Sequence, residues 1–190
     1  MILPIVKFGH PMLRKKGERI ERITPEIKQL IADMFETMEA SHGVGLAAQQ
    51  IGRALQLTVI DVREVAKDRP STLELKGKPA DVADFMPLIL INPEVTPVGE
   101  PVMGGEGCLS FPEIFAEVAR PESVDVKALN EKGKVIEFRC GGLLARAVQH
   151  ETDHLNGFLF IDRMERKIKE EFRDELDALQ AATKAELKKK

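Results

Sequence analysis

The sequence predicts an α+β fold, with antiparallel strands around a central metal-ligand helix, an N-terminal helix and a C-terminal helix. Two observations predict it. Apolar residues recur at helical spacing near 24–41, over 143–156 and from 163 onward, while the stretches between carry strand-length apolar or alternating runs. The order of elements (a helix, a group of strands, then two helices) favours antiparallel pairing over a parallel α/β sheet. At 190 residues the chain fits one catalytic domain, 1–190, with 163–190 as its terminal helix.

Taken in order, the first element is a helix from Thr24 to Ser41. Thr24 suits the N-cap and Pro25 the first helical position; Ile27, Leu30, Ile31, Met34 and Met38 form its apolar stripe, and Gly43 follows its end. The glycine- and alanine-rich stretch Gly43 to Gly52 reads as a close-packed connection without regular structure. Leu55 to Val62 is a buried strand, and the polar Arg63 to Pro87 stretch is a surface loop. Leu88 to Ile91 resumes the sheet until Asn92-Pro93 ends or bends it. Val124, Val126 and Ala128 mark a half-exposed strand, Asn130 to Gly133 a turn, and Lys134 to Phe138 the partner strand. Leu143 to Asn156 is a helix closed by Gly157, with Leu143, Ala147, His150 and His154 on its inner face. The last helix, from Arg163, carries Phe172, Leu176, Leu179 and Leu187 on one face and ends in Lys188, Lys189 and Lys190.

Composition excludes several classes. Hydrophobic residues at 43% and charged residues at 31% describe an ordinary globular protein. A net charge of −3 argues for no nucleic-acid or membrane partner. No signal peptide is evident, no apolar run could cross a bilayer, and the two cysteines do not make a secreted disulfide framework. The expected compartment is the cytoplasm.

The chemistry is concentrated in His150-Glu151-Thr152-Asp153-His154, an H-E-x-x-H pattern on the inner face of a helix. Two imidazoles four residues apart reach one metal ion, and Glu151 stands beside them as a proton acceptor. Three sets of ligands could complete the site. Asp162 or Glu165 downstream would make a zinc endopeptidase; Cys108 alone would leave an open position for water; Cys108 with Cys140 would close a structural Cys2His2 site. A Cys108 nucleophile with His150 as its base leaves Glu151 and His154 unexplained, whereas a Cys108, His150, His154 site with Glu151 beside it explains all four. Cys140, at the end of an apolar strand, reads as a buried thiol.

Three segments in order, Gly43-Val44-Gly45-Leu46-Ala47-Ala48-Gln49-Gln50, Glu106-Gly107-Cys108-Leu109-Ser110 and Gln149-His150-Glu151-Thr152-Asp153-His154, resemble the three motifs of bacterial peptide deformylases. The resemblance implies that Cys108, His150 and His154 hold one divalent ion, Fe(II) in most of the family, with Zn(II) or Ni(II) as alternatives. It implies removal of the formyl group from formyl-methionyl nascent peptides, with Glu151 carrying the proton and with the Gln50 amide and the Leu109 N–H facing the developing oxyanion. Val44 and Gly45 match substrate-backbone positions, and Leu143 and Ala147 look like the lining of the methionine pocket. Glu106 and Arg120 are placed to pair and hold the Cys108 segment. Arg146 reads as a helix-face salt-bridge residue and Gln149 as a surface or supporting residue. Thr152 stands where the family carries an apolar residue, which implies a small packing change. Phe115 replaces a basic or polar group of some relatives and could wall the mouth of the site. The terminal lysines suggest contact with the ribosome near its exit tunnel.

Overall fold

The computed structural model describes residues 1–189. Its first helix, α1 (Pro25–Ala40), has Thr24 as N-cap: the Thr24 hydroxyl accepts from the Ile27 N–H at 3.4 Å and Pro25 occupies the first turn, as the sequence predicts. Ile31, Met34 and Met38 of α1 are buried against Leu46, Leu57, Val59 and Ile91, one of three apolar clusters. Among the described residues the seven strands are β1 (Gly45–Ala47), β2 (Leu57–Ile60), β3 (Ser71–Leu75), β4 (Lys78–Pro79), β5 (Leu88–Cys108), β6 (Phe111–Leu129) and β7 (Val135–Gly141). They form one sheet in the order β1-β2-β5-β6-β7-β3-β4, and every neighbouring pair is antiparallel. The α+β reading therefore holds.

Four local readings change. The Gly43 to Gly52 stretch is regular in part: Gly45–Ala47 pairs with β2, with Gly45 opposite Ile60, and Ala48–Ile51 forms a 3-10 turn. Small side chains are poor strand formers in isolation, but here the partner strand decides. The Arg63 to Pro87 stretch is not a plain loop, because it contains β3, β4 and a short helix, α2 (Val82–Phe85); β3 is held by pairing with β7, far away in sequence. Of the two readings at Asn92-Pro93 for the strand from Leu88, the bend holds and the stop does not. Asn92 takes φ 50°, the register shifts there and again between Val98 and Pro101, and the strand runs on to Cys108. Finally, the terminal helix starts at Arg166 and breaks at Phe172 into α4 (Arg166–Glu171) and α5 (Arg173–Leu187), with Phe172 packed on the Leu13, Phe111 and Phe160 cluster. Lys188 and Lys189 follow α5; the predicted lysine end reaches Lys190, which lies outside the described residues.

The central helix, α3 (Gly142–Leu155), is closed by Asn156 and by Gly157 at φ 79°, as predicted. Its start is built by distant residues. Gly142 adopts φ 66° against the Pro70 carbonyl, which accepts from the Leu143 N–H, and the Ser71 hydroxyl of β3 accepts from the Leu144 N–H at 2.9 Å. α3 packs on β6, β1, β2, β3 and β7, so it is buried all round rather than on one stripe. Leu144 and Val148 join Ile60, Leu90, Val124 and Phe138 in the central cluster. Truncating Leu144 to alanine is expected to cost about 2–5 kcal/mol, read from the shift in the urea unfolding midpoint at unchanged slope; a shift below a few tenths of that would remove Leu144 from the supporting core.

Candidate metal centre

β5 and β6 form a long hairpin whose turn, Leu109-Ser110, follows Cys108, and α3 runs beneath it. This places Cys108 beside the two histidines of α3. The Cys108 Sγ and one ring nitrogen from each of His150 and His154 all lie within 4.8 Å of one another, with His154 Nε2 3.3 Å from the sulfur. An ion with bonds of about 2.0–2.3 Å to nitrogen and sulfur requires donors spaced this way. His150 Nδ1–H donates to Glu106 Oε2 at 2.8 Å, which leaves Nε2 as the nitrogen for an ion. Among the described residues no other group of three such donors comes together.

The competing ligand sets are not assembled. Asp162 turns its carboxylate to Arg14 and to the Leu159 N–H, and Glu165 is an exposed residue preceding α4. Cys140 lies in the central apolar cluster, paired in register with Leu73 and Val124. Burial pushes its thiol up to about 12, which suits an inert packing group.

Around the donors, the electrostatics are strongly polarised. Burial opposes ionisation of Glu106, but its hydrogen bonds with His150 and Arg120 prevail and bring it down to about 2. Arg120 forks onto both Glu106 oxygens, and Arg146 Nη1 reaches Oε1 at 3.0 Å. Burial lowers His150, yet hydrogen bonding to Cys108 and Glu106 outweighs it and raises the imidazole well above its ordinary value. Burial, helped by the charges of His150 and Arg120, drives His154 well below that value. Glu151 is fully enclosed, and burial pushes its carboxyl up to about 7; its Oε2 has no hydrogen-bond partner among the described residues.

The other expected residues gather on the same cleft, a cavity of about 530 Å³. Gln50 points its amide nitrogen at Cys108 Sγ (3.5 Å) and Ser110 Oγ (3.4 Å), while its Oε1 accepts from the Ala47 N–H and locks the amide's sense. Val44, Gly45, Leu109, Leu143 and Ala147 all line this cavity. Gly45 is tightly specified, because a Cβ there would overlap Glu151 Oε1. Phe115 lines the mouth, 72% exposed, with its ring over Gly107.

Some roles read from the sequence become more specific. Arg146 does make a salt bridge, with Glu106, but it is buried and also donates to the carbonyls of Val102, Gly104 and Val118. Gln149 is also buried and donates to the Pro121 and Ala145 carbonyls. Thr152 is absorbed by a hydrogen bond from its hydroxyl to the Val148 carbonyl at 2.8 Å. Sequence reasoning missed Lys7, whose ammonium lines the cleft and donates to the Leu109 carbonyl at 2.8 Å, and Arg69, which donates to the Gly105 carbonyl. A lysine among apolar residues near the N-terminus carries no signal of that contact.

A family model of polypeptide deformylases matches residues 2–170. The chain belongs to the polypeptide deformylase family. Its relatives include a peptide deformylase of Opitutus terrae, 45% identical over 190 residues, covering 99% of this chain and 98% of that one. Another, from Methylacidiphilum infernorum, is 45% identical over 179 residues, covering 94% and 93%. The crystal structure of the peptide deformylase from Thermus thermophilus superposes with a TM-score of 0.81 at 34% identity, over 98% of this chain and 99% of that one. This deformylase fold thus agrees with the three-motif resemblance, and its α3 carries the H-E-x-x-H pattern.

Replacing Glu106 with alanine would leave Arg120, Arg146 and His150 around an uncompensated hole. A loss of about 3–5 kcal/mol in folding stability is expected from the broken buried pair, and metal affinity should fall about 10- to 100-fold from the lost imidazole orientation. Calorimetric metal titration and urea melts read both; unchanged affinity would show that Glu106 does not orient His150. In the two-cysteine comparison, Cys108→Ser should abolish or weaken metal binding and Cys140→Ser should leave it intact, measured by metal content after dialysis.

Proposed function

We propose that residues 1–190 act as one catalytic unit that hydrolyses the formamide at the start of formyl-methionyl nascent peptides, yielding formate and a free methionine amine. The observation that carries this reading is the convergence of Cys108, His150 and His154 with an enclosed, unpartnered carboxylate, Glu151, at the floor of an apolar cleft. The donor set fits one divalent ion: a thiolate and two imidazoles suit Fe(II) and also Zn(II) or Ni(II), and family membership favours Fe(II). When bound, such an ion would lower the pKa of water toward neutrality and polarise the formyl oxygen.

The chain's own residues supply the rest. Leu143 and Ala147 receive the methionine side chain, excluding water from one wall of the cleft. β1 is an edge of the sheet, so half of the backbone groups around Val44 and Gly45 face away from β2 and can pair with an extended peptide. Gln50 Nε2 and the Leu109 N–H donate to the formyl oxygen as negative charge develops there, each worth about 3 kcal/mol in the transition state. Glu151 takes the proton from the attacking water as the carbon–oxygen bond forms, then delivers it to the leaving nitrogen as the carbon–nitrogen bond breaks and the oxyanion returns to a carbonyl. A carboxyl held near neutrality by burial suits both halves of that transfer.

No described helix is long and apolar enough to cross a membrane. A cytoplasmic enzyme meeting nascent chains, with the lysines at and after the end of α5 approaching the ribosome near the exit tunnel, fits this reading. Formyl-Met-Ala-Ser incubated with anaerobically prepared, metal-loaded protein should release formate in a coupled formate dehydrogenase assay. Glu151→Gln should keep its metal and lose turnover by a factor of about 100 or more. A folded, metal-loaded protein that releases no formate would overturn the reading, and an active Glu151→Gln would remove Glu151 from the proton path.

A further inference from the structure

A line of charged contacts leaves the metal centre through the back of α3. His150 meets Glu106 at 2.8 Å, Glu106 meets Arg120, Arg120 Nη1 meets Asp153 Oδ2 at 2.9 Å, and Arg163 closes on Asp153 with Nη2 to Oδ1 at 2.9 Å and Nε to Oδ2 at 3.1 Å. Side-chain exposure rises along the line, from 4% at Glu106 and Arg120 to 13% at Asp153 and 46% at Arg163. Arg163 also lies over the Phe158 ring, 5.2 Å from its centre. A shallow groove lined by Arg120, Asp153 and Arg163 brings solvent to this end.

We infer that Arg163, at the surface, is a positioning residue for the metal centre, acting through Asp153, Arg120 and Glu106 on the orientation of His150. The inference rests on the metal-site reading above. Its physical basis is the sharing of one oxygen: Arg120 and Arg163 both donate to Asp153 Oδ2, and Arg163 takes Oδ1 as well, so the Asp153 carboxylate has one rotamer. With that carboxylate fixed, Arg120 is anchored at both ends and holds Glu106 in the plane that His150 needs. Without Arg163, Asp153 can turn to water in the groove, and Arg120 keeps only Glu106. Glu106 itself retains Arg146, so the centre loosens rather than collapses. The exposed ion pair Arg139–Asp125, across β6 and β7, shares no hydrogen bond with Cys108, His150 or His154.

The test is the rate at which zinc passes from the loaded protein to a chromophoric chelator. Arg163→Ala should release zinc about 3-fold faster and Asp153→Asn about 10-fold faster, and the double variant should match Asp153→Asn alone because both act through one group. Arg163→Lys should recover part of the wild-type rate and make it more salt-sensitive, since a single ammonium replaces a fork. Arg139→Ala is the control for loss of a surface pair and should leave release unchanged, and apo-protein melting should be alike for Arg163→Ala and Arg139→Ala. Release from Arg163→Ala at the wild-type rate, or additive effects in the double variant, would overturn the inference. If wild-type protein holds no zinc at all, the metal-site reading fails instead, and the two failures are told apart.

Discussion

One buried carboxylate, Glu106, is the constraint on which the rest of the centre depends. It is 5% exposed, and its partners come from two elements: Arg120 on β6, and Arg146 and His150 on α3. Taking such charges out of water costs several kcal/mol per ion, and the cost is offset only where geometry satisfies nearly every lone pair. Glu106 meets that condition with both oxygens engaged twice. The arrangement therefore adds little net stability over an apolar core but permits only one way of setting the hairpin on the helix. Because Cys108 follows two residues after Glu106, the same contacts that orient His150 also fix where the sulfur stands.

Arg146 extends this logic to the backbone. Beyond residue 91, β5 loses β2 as a neighbour and pairs only with β6, so one side of its backbone lacks a strand. Arg146 supplies donors there, to Val102 and Gly104, and closes across the hairpin to Val118. Gly104 makes the approach possible, since a Cβ at that position would meet the guanidinium at 2.6 Å. A lysine offers neither the planar fork nor enough donors for this job.

The parts of the fold legible in the sequence are those with a local cause. Thr24-Pro25 marks a helix start and Gly157 a helix stop by their own chemistry, and both were readable. The two histidines and Glu151 were readable because spacing on one helix is a local property. What was hidden depends on distant partners: β3 has its place only through β7, and the Asn92-Pro93 bend continues the strand only because β6 crosses opposite. The same holds for charge. Arg146, one turn before His150, was readable as a salt-bridge residue of the helix, but its partner and the backbone carbonyls that it and Gln149 bind come from the hairpin and could not be read locally. Cys108 was one of three ways to complete the donor set, favoured because it accounts for His150, Glu151 and His154 together; the line from Asp153 to Arg163 was not legible, since no periodicity links ten-residue separations across a 3-10 turn.

The helix that results breaks the usual rule for a buried helix, which is to be apolar all round. α3 buries Arg146, Gln149, His150, Glu151, Thr152 and His154 together. Most of these polar groups have protein partners, as burial demands. Glu151 Oε2 does not, and an enclosed acceptor without a partner costs about 1–3 kcal/mol. The site cannot relieve that cost without losing its use. A donor fixed on Oε2 would favour the ionised carboxylate and lower its proton affinity, and a side chain at Gly45 would push it out of place. The glycine in β1 and the unpaired oxygen in α3 thus act together: the absent Cβ at Gly45 leaves room for the Glu151 carboxylate, and the absent donor at Oε2 leaves its proton affinity to be set by burial.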